Sequence, residues 1–360
     1  MSMSHKDDSL RLMVYSILSE YVTTDKKIVD STVSQEDEEV RAITSKSAVA
    51  LLERLKSVVP KKLEGSRETE KEFEAVTLRT WKKPFDLLDL LLYLSLQVSG
   101  EFNLEYLSDE WLKNSLLQVA LAKQQAKACL VFDEILHLLK SGFPSGAHSH
   151  WRTLHEIACV SYFISKHGED MAKRFLDYEV VERYYRTLSI YDHQQKMEFE
   201  TLPEKDLKAN LKAIKKKIDK MQKLYGSDFV KKTSYPFGWV PRTALKSRSL
   251  REMEKAVKLD MLRPYYNVAI YDAYGRSKGL VSKSVITKNK RKNAVIPFGP
   301  SNYGLADPGR SAAISLGQVT ACLLLSESTL NRLVIVEAMR NLVAEICAAF
   351  SEVQSEFGVS

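Results

Sequence analysis

Residues Cys129–His167 read CLVFDEILHLLKSGFPSGAHSHWRTLHEIACVSYFISKH. The stretch is two apolar helices joined by a tight turn. Gly142 follows Lys140 and Ser141, where a left-handed residue closes a helix and a cation suits its carboxyl end. Pro144 cannot continue that helix, and Ser145 can cap the next one. Trp151, Leu154, Ala158 and Tyr162 then recur at helical spacing, and Gly168 supplies the second stop. Two long apolar helices closed this tightly predict an all-α, multi-helix bundle built around the pair.

The same stretch carries the densest set of titratable groups in the chain. His148, Arg152, His155, Glu156 and Cys159 fall on a face adjoining the apolar stripe. Arg152 and Glu156 are four residues apart, so a helix sets them on one face with complementary charge. Two readings stay open: a partly buried ion pair that fixes how the helix packs, or an arginine that grips a phosphate or substrate. Arg152, His155 and Glu156 are therefore candidate catalytic residues. A metal at His148, His150 and His155 is not predicted, because His150 points away from the other two and no HExxH pair exists. The chain also lacks a Walker loop, a dinucleotide fingerprint and GxSxG, and no cofactor is expected.

Working outward, residues 7–23 read as a short amphipathic helix, and a second helix runs from Ser34 to about Val59 before Pro60 ends it. Glu70–Trp81 is helical again, and Pro84 breaks before the apolar FDLLDLLLYLSLQV. Gly100 and its neighbours read as a turn, and Ser108 opens the long helix that runs to Lys140. A boundary near residue 108 divides the chain into an N-terminal helical region, 1–108, and a helical core domain, 109–360. After Gly168 a long aromatic-rich helix follows. Pro203 then starts a helix whose Leu207, Leu211, Ile214, Ile218, Met221 and Tyr225 form an apolar seam flanked by lysines. Helix returns at Ser249 with a break at Pro264, and two apolar helices close the chain after a Gly/Pro-rich loop, AVIPFGPSNYGLADPGRSAA.

The formal net charge of +7 resides in one place. Arg276, Lys278, Lys283, Lys288, Lys290, Arg291 and Lys292 lie between Gly275 and the Gly/Pro-rich loop with no acid among them, and the rest of the chain sums to zero. Such a segment suits nucleic-acid phosphates or an acidic protein partner. No apolar run reaches the length of a membrane span, and no apolar core follows the first residues, so neither membrane insertion nor export is expected. Cys129, Cys159, Cys322 and Cys347 stand singly in apolar helical patterns, which suits a reducing cytoplasm.

Four motifs carry a family resemblance: Leu138–Gly142, RTLHE at Arg152–Glu156, the Tyr-Tyr-Asn of Pro264–Asn267, and GPSNYGLADP at Gly299–Pro308. On these, residues from Trp111 to Phe350 resemble a bacterial family of all-helical proteins catalogued as a domain of unknown function. The resemblance implies that its arginine and glutamate correspond to Arg152 and Glu156, and that the chain is an accessory or defence-associated protein. Where that family has a histidine after the Tyr-rich helix, this chain has Tyr274 and Arg276.

Three functions follow as expectations. The first is a cytoplasmic interaction or effector protein, of a bacterial antiviral-defence or toxin system, that contacts nucleic acid or a protein through its basic segment. The second is a metal-independent ribonuclease, since Arg186 and His193 have the helical spacing of small helical nucleases, with His193 as base and Arg186 stabilising the pentavalent phosphate. The third is a structural helical adaptor without catalysis.

Overall fold

The computed structural model describes residues 10–21, 38–106, 115–193, 203–232, 237–273, 287–288, 294–295 and 299–356. Contacts divide the chain into two compact units, Met1–Ala75 and Val76–Ser360. The first holds α1 (Leu10–Tyr21), which buries Met13 and Ile17, and most of α2 (Glu38–Thr80). Pro60 lies inside α2 and does not end it. A proline removes one intrahelical hydrogen bond, but the charged helix-formers on both sides of it carry the helix through.

The second unit begins with α3 (Lys82–Tyr106), α4 (Leu116–Lys140), α5 (Pro144–His167) and α6 (Glu169–His193). It continues through α7 (Glu204–Tyr225), the single turn α8 (Ser227–Val230) and α9 (Leu250–Val257). A 3₁₀ turn over Asp260–Leu262 leads into α10 (Arg263–Ala273), and the chain ends with α11 (Ala306–Leu325) and α12 (Leu330–Glu356). Apart from a two-residue antiparallel ladder, Thr287–Lys288 with Ala294–Val295, the described fold is helical, as the sequence predicts.

Helices α3, α4, α5 and α11 form the centre. The turn between α4 and α5 is built as expected at Gly142, whose φ is 77°. Phe143 N–H donates to the Leu138 carbonyl at 2.7 Å, and Ser301 N–H donates to the Gly142 carbonyl at 2.8 Å. Pro144 is itself the first residue of α5, so Ser145 lies within the first turn rather than capping it. Pro84 likewise sits in the opening turn of α3, and Gly100 is carried inside that helix. At the amino end of α4, Glu169 of α6 accepts from Leu116 N–H at 2.9 Å and from Ser115 Oγ–H at 2.9 Å. An acid thus meets the positive end of the helix dipole.

A buried polar junction ties three helices. Gln125 Nε2 of α4 donates to Thr320 Oγ1 of α11 at 3.0 Å and to the Ser95 carbonyl of α3 at 3.3 Å. Trp81 and Phe85 pack their rings on Phe350 of α12, with centroids 5.7 and 6.4 Å apart. Gly309 lets α11 approach α12 closely, since a Cβ there would lie 2.3 Å from Phe350 Cζ. On the other flank, α7 buries Leu207, Ile214 and Ile218 against α6 and leaves its lysines in solvent. No described helix is long and apolar enough to cross a membrane.

Candidate functional site

Helix α5 positions the chemistry. Its Trp151 is fully buried and donates from Nε1 to Ser315 Oγ of α11 at 3.0 Å. One turn on, His155 is also fully buried, with its ring 5.3 Å from the Trp151 ring and 5.8 Å from Tyr266 of α10. His155 Nε2 lies 2.9 Å from Glu254 Oε1 of α9 and 3.7 Å from Cys159 Sγ. The other Glu254 oxygen forms an ion pair with Arg263, the first residue of α10. Glu254 has no exposure, whereas the Arg263 side chain is 22% exposed at the edge of the cluster. Nδ1 of His155 is buried and has no hydrogen-bond partner among the described residues. Burial, followed by the negative charges of Glu254 and Glu156, pushes the Cys159 thiol far above its usual range.

Arg152 and Glu156 share the adjoining face of α5 but turn apart. The Arg152 guanidinium lies 5.2 Å over the Tyr266 ring, and Nη2 donates to the Tyr266 hydroxyl at 3.5 Å. Arg263 approaches the same ring at 4.9 Å, so two guanidinium groups pack on Tyr266. Glu156 instead lines a cleft of about 660 Å³ between α4, α5 and α6, with Glu179 and Glu182 on its far wall. Burial raises the Glu156 carboxyl above its usual range, and Arg152 partly offsets this. The two residues feel each other's charge without forming a direct ion pair, so Arg152 anchors α10 and not its neighbour on α5.

The other sequence-predicted residues do not converge with this cluster. His148 is buried beside Trp151, ring centroids 5.5 Å apart, and His150 pairs at the surface with Glu134 of α4. Arg186 and His193 are both exposed on α6, two turns apart. His193 Nδ1 is 2.8 Å from the Ser189 carbonyl. Arg276, Lys278, Lys283, Lys290, Arg291 and Lys292 lie outside the described residues, and Lys288 is described only as backbone, in the short ladder.

Sequence reasoning missed Glu254 and Arg263. Glu254 meets His155 across 99 residues, a distance no local spacing rule reaches. The one available signal is that Glu254 stands beside Met253 on the buried face of α9, where an acid needs a partner.

Residues 119–272 match the model of a Family of unknown function (DUF5677). No curated protein and no solved structure matches the chain. The matched span runs from α4 to α10 and contains Arg152, His155, Glu156, Cys159, Glu254, Arg263 and Tyr266. It stops short of the basic segment and of the GPSNYGLADP motif.

Proposed function

We propose that this is a cytoplasmic binding protein that grips the phosphate backbone of nucleic acid through Arg276–Lys292, in the accessory or defence-associated setting that its family resemblance implies. The observation that carries the reading is the acid-free run of seven cations that holds the whole net charge. Support comes from its attachment: the segment follows α10 directly, and Arg263 and Tyr266 fasten α10 to α5 and α9. Cations that pair with the nucleic-acid backbone contact phosphates and leave base edges unread.

Affinity for mixed-sequence duplex DNA is therefore expected to fall steeply with salt. Seven phosphate contacts give a log–log slope of about −6. Changing Lys288, Lys290, Arg291 and Lys292 to Gln removes four of them and brings the slope to about −3, with no change in sequence preference. Binding that ignores both salt and these four changes would overturn the proposal. Retention of an acidic protein in place of nucleic acid would move the function to a protein partner.

The ribonuclease reading rests on Arg186 and His193 alone; both stand exposed on one helix, and the His193 ring meets only the Ser189 carbonyl of its own helix among the described residues. The expected result is that bound single- and double-stranded RNA stays intact, and that His193→Ala binds as the wild type does. Cleavage by the wild type that disappears in His193→Ala would establish the nuclease instead.

A further inference from the structure

We infer that His155, Cys159 and Glu254 form a buried binding site for one divalent transition-metal ion of the zinc type. The three residues offer one nitrogen, one sulfur and one oxygen, and these atoms lie within 4.8 Å of one another. Metal bonds of about 2.0–2.1 Å to N or O and about 2.3 Å to S place tetrahedral N···O and N···S edges at about 3.3 and 3.5 Å. The corresponding separations here are 2.9 Å for His155 Nε2 to Glu254 Oε1 and 3.7 Å for Nε2 to Cys159 Sγ. Those two edges need movements of a few tenths of an ångström, and closing the sulfur–carboxylate edge from within 4.8 Å to about 3.5 Å completes the sphere, with water as the fourth ligand of a tetrahedral site.

The surroundings suit that role. His155 and Cys159 are four apart on α5, so one helix presents two ligands on one face and α9 brings the third across from it. Arg263 holds the second oxygen of Glu254, which leaves the first free to bind a metal through one atom, the orienting arrangement typical of metal carboxylates. Trp151 and Tyr266 wall the cluster from water. Arg263, 22% exposed, brings the edge of the cluster to the surface. On binding, the Cys159 thiol gives its proton to solvent, and the imidazole coordinates through Nε2 with a proton on Nδ1, which has no hydrogen-bond partner among the described residues. The thiolate and the carboxylate that Arg263 also holds offset most of the ion's charge.

The full-length chain is stripped with chelator and titrated with Co²⁺. The expected result is one equivalent bound, displaceable by Zn²⁺, with a thiolate-to-cobalt charge-transfer band in the near ultraviolet. That band persists in Cys347→Ser, whose thiol lies elsewhere in the fold, and is lost in Cys159→Ser. No stoichiometric uptake, or a band that survives Cys159→Ser, would overturn the site. Where Cys159→Ser does not fold, X-ray absorption of the wild-type zinc form decides. One sulfur at about 2.3 Å with light atoms at about 2.0–2.1 Å supports the assignment, and no sulfur or several sulfurs refutes it.

Discussion

Arg263→Met is expected to lower the unfolding free energy by about 3–5 kcal/mol, the cost of breaking a buried ion pair from one side. Methionine fills much of the volume of the arginine stem but supplies neither charge nor donors. Glu254 has no exposure, so its carboxylate is left in a low-dielectric interior with His155 as its remaining hydrogen-bond partner among the described residues. The inverse change is milder. Glu254→Gln leaves Arg263 without its counter-ion, but that side chain is 22% exposed and can carry its charge outward to water. Replacing both, as Glu254→Leu with Arg263→Met, is expected to recover most of the loss, because a buried pair exchanged for apolar groups is often neutral or stabilising. Urea denaturation measures all three, with equal m-values as the check that the unfolding remains two-state. A loss under about 1 kcal/mol in Arg263→Met would show that the pair contributes nothing net, as surface pairs commonly do.

The contrast between these residues and the α4–α5 turn shows what a sequence discloses. Leu138–Pro144 could be read closely because every group that shapes the turn lies within a few residues: a glycine able to adopt φ of 77°, a cation at the helix end and a proline at the next start. Pro60 was misleading for the opposite reason. The local rule counts one lost hydrogen bond and a clash, whereas the helix is decided by the residues on both sides, which favour it through Thr80. The candidate site was legible by half. His155, Glu156 and Cys159 share a helix face with Arg152, and helical spacing alone puts them there. Which of them turn inward depends on α9 and α10, about 100 residues further along the chain, and those contacts leave no periodic trace. The basic segment is legible only as charge, which supports a binding class and carries no geometry.

Trp151→Ala is expected to cost about 3–5 kcal/mol, the range for truncating a large buried aromatic. The residue is fully buried, and its ring meets His148 and His155 on its own helix and Tyr266 of α10 at centroid distances of 5.3 to 6.5 Å. Truncation therefore opens a void where α5, α10 and α11 meet, and rigid helices cannot close it. Ser315 Oγ also loses its indole donor inside the core. Trp151→Phe separates these effects. Phenylalanine keeps most of the ring packing but offers no N–H, so its cost is expected to be smaller, about 1–3 kcal/mol from the unsatisfied hydroxyl and the residual cavity. Adding Ser315→Ala to Trp151→Phe removes the stranded hydroxyl and is expected to return part of that loss, whereas on the wild-type background Ser315→Ala strands the indole N–H and destabilises. A double-mutant cycle across the two positions reads the coupling directly. Equal costs for Trp151→Ala and Trp151→Phe would show that the hydrogen bond to Ser315, rather than the ring, joins α5 to α11. A coupling near zero would show that packing alone does so, and that the wall of the His155–Cys159–Glu254 cluster is held by shape.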